Sequence, residues 1–217
     1  MLAKVYKDHD IRGFWLSEKL DGVRAYWDGG VTRGKRLDDV DFWQRARVID
    51  LRVGGVRSRT GESSISKRLK DRLATGLWSR YKKPIFAPSW WLNHLPPGVP
   101  LDGELYIKRG SFQNVVSIVR RSVHIDEVGW TSVHYHVFDT LDWADFGSFK
   151  DVYKELCGLS VDNPVLVAVC QERLPMSLSR ARKYIDQRLS DVLEIGGEGL
   201  ILRHGFVFCV LHGVSIC

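Results

Sequence analysis

Glu18-Lys19-Leu20-Asp21-Gly22-Val23-Arg24 is the stretch on which the reading of this chain turns. A lysine stands immediately before an Asp-Gly turn. An alternating run follows, with Val23, Ala25 and Trp27 set against Arg24, Tyr26 and Asp28, and Gly29-Gly30 ends it. Period-two alternation bounded by glycines predicts a strand over 21–28. A lysine amine is a nucleophile only when unprotonated, and neighbouring cations or partial burial shift it towards that state. Arg24, reaching back from the strand, is placed to supply such a field. Taken alone, the heptad fits a surface lysine beside a hairpin equally well.

The composition sets the outer bounds. A chain of 217 residues is long enough for one substantial core, and 44% hydrophobic with 27% charged residues is ordinary globular content. The formal charge of +6 suits a polyanionic partner. That charge is uneven: residues 35–83 hold fourteen Lys or Arg and six Asp or Glu, a net of +8, so the rest of the chain sums to −2. Cys157, Cys170, Cys209 and Cys217 show no metal-ligand spacing and read as free thiols in a reducing compartment. Lys4 and Lys7 have no apolar run behind them, so no signal peptide is expected. The apolar stretch 205–217 has thirteen residues, too few to span a bilayer. These features predict a soluble, intracellular, monomeric protein (nucleus or cytoplasm left open) with no membrane association.

Further along, Leu101 to Ile107 and Ser132 to Asp139 read as strands, and Ser111 to Arg121 as a short helix with Val115, Ile118 and Val119 inward. Arg45 to Val56 has a weak strand-like spacing, and Ser66 to Trp78 a basic helical one with Leu69, Leu73 and Leu77 on one face. The proline-bounded segment from Pro84 to Pro100 predicts a rigid connection without a helix. Phe149 to Leu156 is helical in pattern, and Pro164 to Cys170 is a continuous apolar run, hence a buried strand. Ser177 is positioned to cap a helix burying Ala181, Tyr184, Ile185, Leu189 and Val192, which Gly196-Gly197 ends before a strand at Leu200 to Leu202. Strands and helices in this order predict an α+β domain built on antiparallel sheets.

Three more stretches carry chemistry. Leu101-Asp102-Gly103-Glu104-Leu105-Tyr106 sets a carboxylate in an apolar strand. Val137-Phe138-Asp139 ends a strand with a ring, and Gly197-Glu198-Gly199-Leu200-Ile201-Leu202-Arg203 sets a second glycine-flanked carboxylate before a strand. Glycine beside a carboxylate lets backbone or ligand approach closely. Residue by residue, Glu104 and Glu198 also fit edge-strand carboxylates, Phe138 a plain core ring, and His134 and His136 strand surface positions.

Together and in order, these stretches resemble the nucleotidyltransferase motifs of the ATP-dependent DNA ligases, notably the small ligases of bacteria and viruses. Lys19-x-Asp21-Gly22-x-Arg24 is similar to motif I, Asp102-Gly103-Glu104 to motif III, Phe138-Asp139 to motif IIIa and Glu198-Gly199-Leu200-x-Leu202-Arg203 to motif IV. The likeness is closest over 13–34 and 83–203, and it includes Tyr26-Trp27-Asp28-Gly29, Ala87-Pro88-Ser89-Trp90 and Arg109-Gly110-Ser111-Phe112. The resemblance implies the nucleotidyltransferase (ATP-grasp-like) fold, antiparallel sheets flanked by helices.

It further implies that Lys19 attacks the α-phosphate of ATP and carries AMP, which passes to the 5′-phosphate of nicked double-stranded DNA before the 3′-hydroxyl displaces it. Glu18, Arg24, Arg33, Glu104, Phe138 and Glu198 are the implied nucleotide-binding residues, with Glu104 on the ribose and Phe138 on adenine. Glu198, with Glu104, is the implied Mg²⁺ holder. An RNA ligase or an mRNA capping guanylyltransferase shares the lysine chemistry and is the alternative enzyme class.

Two departures qualify the likeness. The family places a motif Ia arginine about fifteen residues after the lysine, in a Ser/Thr-Arg-x-Gly context. Thr32-Arg33-Gly34 has the distance, whereas Ser58-Arg59-Thr60-Gly61 has the text. Choosing Arg33 makes residues 35–82 a basic insertion, either DNA-contacting or aberrant. After Arg203 the paired lysines of motif V and the OB-fold domain are not found, and 204–217 is an atypical apolar tail. The expected domain therefore spans 1–203. A catalytically impaired ligase product that keeps nucleotide or DNA binding is the competing expectation.

Overall fold

In the computed structural model, residues 10–40, 72–140 and 146–204 are described. Two sheets form the framework. The larger has the strand order β3-β2-β4-β5-β6, with β2 at Val23–Asp28, β3 at Leu77–Ser79, β4 at Pro100–Tyr106, β5 at His134–Thr140 and β6 at Leu166–Ala168. The smaller has the order β7-β1-β8, with β1 at Trp15–Glu18, β7 at Glu172–Arg173 and β8 at Leu200–Arg203. Every pairing is antiparallel except β5 with β6, which is parallel. The α+β expectation with antiparallel-rich sheets holds.

Alternation decides which face of the larger sheet is core. Ala25 and Trp27 on β2, Leu101 and Leu105 on β4, and Tyr135 and Val137 on β5 are fully buried. The short helices α1 (Ser89–Leu92), α2 (Phe112–Val119) and α3 (Glu127–Trp130), with α4 (Phe149–Ser160), contribute Trp91, Val115, Trp130 and Phe149 to the same core. The large rings are fixed by their polar ends as well as by packing. Trp91 Nε1 donates to Val133 O at 2.8 Å, Trp27 Nε1 to Pro96 O at 2.9 Å, and the Tyr135 hydroxyl reaches the carbonyls of Ala25 and Leu101 at 2.9 Å each.

A second cluster of Leu37, Val40, Ala74, Trp78 and Phe86 lies beside β2 and β3. A third, of Ile11, Phe14, Leu16, Leu174 and Ala181, lies under the smaller sheet against the helix α5 (Leu178–Glu194).

Several expectations are corrected. Trp78 belongs to a strand, not to a basic helix running from Ser66, because Leu77 and Trp78 pair with Trp27 and Tyr26 and are both buried. Leu37, Val40, Ala74, Leu77 and Trp78 are buried, so both ends of the 35–82 segment pack into the domain, while its interior lies outside the described residues. Arg59 and the strand-like spacing from Arg45 also fall outside the described residues.

The proline-bounded connection does contain a helical turn, α1, entered from extended Pro88. Its prolines flank the turn and interrupt none of its hydrogen bonds. The run from Pro164 yields only the three-residue edge strand β6. Helix α5 buries Ala181 and Val192, but Tyr184 and Leu189 are each 36% exposed. The smaller sheet is narrower than the stripe that the helical spacing implies.

Candidate active site

Lys19 sits where the chain leaves one sheet for the other. β1 ends at Glu18, whose register partner on β8 is Leu200, and the Lys19 backbone N–H donates to Gly199 O at 2.8 Å. Residues 19–22 then cross to β2. Gly22 is required at the landing point: a Cβ there would stand 2.4 Å from Leu105 O and 2.8 Å from Glu104 Cγ. Any larger residue would push β2 off β4 and move Glu104 with it.

The ladder between β1 and β8 brings Glu198 to Lys19, and the two side chains form an ion pair from Nζ to Oε1, about half exposed. These residues are 179 apart in sequence. Glu18 pairs with Arg109, whose Nε and Nη2 donate to its two oxygens at 3.0 and 2.6 Å.

The outer face of the larger sheet carries a polar row. Arg24 is the register partner of Glu104, and Glu104 of His136. Arg24 donates to both oxygens of Asp102, at 3.0 and 2.6 Å, and lies over the Phe138 ring at 5.5 Å. Asp102 is thus an ion-pair partner of Arg24. Burial raises the Glu104 carboxyl to about 7, against the opposing pull of Arg24 and Lys19. Its strand has neighbours on both sides, so it is no edge-strand carboxylate. Burial lowers the His136 imidazole to about 4, with His134 nearby adding to the effect. His136 is therefore neutral at physiological pH, not an ordinary surface histidine.

Two adjoining cavities open here. The larger, about 350 Å³, lies between the sheets, with Leu16, Leu200, Val167 and Val169 as apolar walls and His136 and Tyr106 as its rings. The ring of Tyr106 meets that of His136 edge-on at 5.1 Å. The smaller, about 140 Å³, is lined by Lys19, Glu198, Asp21 and the glycines 110, 196 and 197. Glu18, Tyr106 and Arg109 line both. Phe138 is absent from both linings, being placed under Arg24.

Arg33 is not brought to this site. It follows the far end of β2, is exposed, and donates to Asn93 Oδ1 at 2.6 Å. The return to the start of β2 is made by β3. Ser79 pairs with Ala25, and Arg80 opens the next turn beside the Arg24 end of β2, exposed. Ser79-Arg80 also carries the Ser-Arg pair, without the glycine of the Ser/Thr-Arg-x-Gly context. Arg109 and His136 line these cavities but are not legible as such in the sequence, because their partners lie on other strands.

At the opposite end of β8, Arg203 Nη1 donates to Asp139 Oδ2 at 2.6 Å, and its guanidinium lies 4.7 Å over Phe149. The motif-like ends of β5 and β8 thereby join the two sheets. Among the described residues no group of three Asp, Glu, His or Cys is placed to hold a metal ion by itself. No described helix is long and apolar enough to cross a membrane.

No protein-family model matches the chain. A DNA ligase of Haemophilus influenzae is 24% identical over 204 residues, covering 94% of this chain and 56% of that protein. A solved structure from a study of Lig E DNA ligases superposes with a TM-score of 0.64 at 28% identity, over 95% of this chain and 62% of its own. The adenylate form of Chlorella virus DNA ligase superposes with a TM-score of 0.56 at 16% identity, over 94% and 58%. The chain spans a little over half the length of the relatives it matches.

Proposed function

Starting from a chain that carries the nucleotidyltransferase-domain fold of the ATP-dependent DNA ligases, we propose that it forms a lysyl-AMP intermediate on Lys19 and serves the sealing of nicked DNA. The observation that carries this reading is the meeting of Lys19 and Glu198 at a small polar cavity that adjoins a larger, mostly apolar one. A nucleotide has the matching halves. Its base fits the larger cavity and its phosphates the smaller.

In this reading the Lys19 nitrogen, released from Glu198 and deprotonated, attacks the α-phosphorus of ATP. The new N–P bond replaces the bond to the pyrophosphate oxygen. AMP then passes to the 5′-phosphate at the nick, and the 3′-hydroxyl displaces it. Glu104 is held close to half-protonated near neutral pH. It suits a ribose hydroxyl, to which it can donate or from which it can accept, better than a metal ion. Glu198 would hold Mg²⁺, which needs only one or two protein carboxylates when phosphates and water complete its shell. That ion, when bound, would neutralise charge building on the phosphoryl oxygens.

His136 and Tyr106 supply the rings that face the base cavity, and Phe138 supports Arg24 from below. Arg80 takes the motif Ia role first given to Arg33. The basic segment and the rest of the exposed arginines would contact DNA phosphates, an attraction that weakens as salt rises.

The test is covalent labelling. Incubation with ATP labelled at the α-phosphate and Mg²⁺ should leave label on the denatured chain, and Lys19→Ala should remove it. Label from GTP alone would replace this reading with a capping-type enzyme. No label from either would leave nucleotide or DNA binding without transfer.

A further inference from the structure

The Glu18–Arg109 ion pair lines both cavities. Arg109 follows β4 and reaches back to Glu18, the residue before the nucleophile, and together with Tyr106 these two are the residues shared by both linings. The guanidinium presents its Nε–Nη2 edge to Glu18, at 3.0 and 2.6 Å. A guanidinium has five N–H donors, so the Nη1 amino group is left for a second partner. The Arg109 side chain is 40% exposed, whereas Glu18 is 23% exposed. The carboxylate is thus the more deeply seated member and fixes the orientation of the cation.

Charge in the smaller cavity narrows what that partner is. Its cations are Lys19 and Arg109, and its carboxylates are Glu18, Asp21 and Glu198. Lys19 is the group that bonds to the α-phosphorus in the proposed reaction. A triphosphate laid through this cavity therefore has Arg109 as its remaining cationic contact among the lining residues. The glycines 110, 196 and 197 carry no side chain into the space, so phosphate oxygens can approach the backbone closely.

Resting on the nucleotide reading above, we propose that Arg109 binds the β- or γ-phosphate of the incoming nucleoside triphosphate, and that Glu18 is the positioning residue that aims it. Arg109 then distinguishes a triphosphate from a monophosphate, and it holds the pyrophosphate leaving group in line while Lys19 attacks. Three carboxylates against two cations leave the empty cavity net negative, so triphosphate binding depends on added divalent cation as well.

The test compares two ligands on the full chain in Mg²⁺. One is α,β-methylene-ATP, whose bridging carbon blocks transfer to Lys19, and the other is AMP. Loss of one charge-assisted contact corresponds to about a tenfold change in affinity. Arg109→Ala should weaken the triphosphate analogue about tenfold and AMP less than twofold on that scale. Glu18→Gln should weaken the analogue by less, and adding it to Arg109→Ala should cost nothing further. Arg109→Lys, which keeps the charge and loses the fork, should fall between wild type and Arg109→Ala and serves if the alanine variant does not fold.

Equal weakening of both ligands, or no weakening of either, would overturn the assignment to the β- or γ-phosphate. Failure of the wild-type chain to bind either ligand would instead overturn the nucleotide reading beneath it.

Discussion

The two ends of β8 carry the same chemistry in opposite settings. Before the strand, Glu198 meets Lys19 with both side chains at least 40% exposed. At its other end, Arg203 meets Asp139 with both below 15%. Water competes for the first pair, so breaking it costs little and a ligand can take over either member. Water is excluded from the second, whose separation would strand a charge in the interior. Asp139 Oδ1 is buried without a hydrogen-bond partner among the described residues, and burial raises that carboxyl despite Arg203. One pair is therefore placed to be exchanged, and the other to hold the two sheets together around it.

The sharpest break in this comparison comes from removing each cation. Lys19→Ala should abolish labelling from ATP while leaving the denaturation midpoint almost unchanged. Arg203→Met should do the reverse in kind: it should lower unfolding free energy by about 3–5 kcal/mol in urea titration, because Asp139 is left buried and unpaired. A substitution at Arg203 that costs less than a surface mutation would show that the second pair is not a lock.

Next in size is a pH effect. Glu104 is raised to about 7, so its protonated form stabilises the fold fully below about 4.5, and that contribution fades as pH rises through 7. His136 is lowered to about 4, so its neutral form contributes fully above about 6.5, and that contribution is lost as pH falls through 4. The two slopes oppose each other between pH 4.5 and 6.5. Glu104→Gln should uncover the histidine slope, with stability then falling by on the order of 2–3 kcal/mol from pH 7 to pH 4. A Glu104→Gln variant with the wild-type pH profile would refute the paired assignment. Smallest of all, Glu198→Gln should change unfolding free energy by no more than about 1 kcal/mol, while reducing the Mg²⁺ dependence of labelling.

Legibility followed locality. The strands of β2, β4 and β5 were readable because period-two alternation is a local pattern, and Ala25, Trp27, Leu105, Tyr135 and Val137 fall on the buried face that it assigns. The outer face of α5 was misjudged because a helical stripe states which side is apolar, not how wide the partner sheet is. Arg33 and Arg59 are compared by distance and text along the chain, whereas the register of β3 on β2 sets Arg80 beside the Arg24 end of β2. Nothing in the order of residues shows that β3 returns Ser79 to Ala25.

What the sequence by itself determined is the set of reactive groups and their strand positions. Lys19 before an Asp-Gly turn, Glu104 and Glu198 beside glycines, and Phe138-Asp139 at a strand end are consequences of residue type and short-range pattern. Only the tertiary structure decided which groups meet. It set Glu198 on Lys19, Arg109 on Glu18, His136 in the cavity and Phe138 under Arg24. The physical reason is that register and sheet order bring together residues many strands apart, through backbone hydrogen bonds that every residue can make and none encodes.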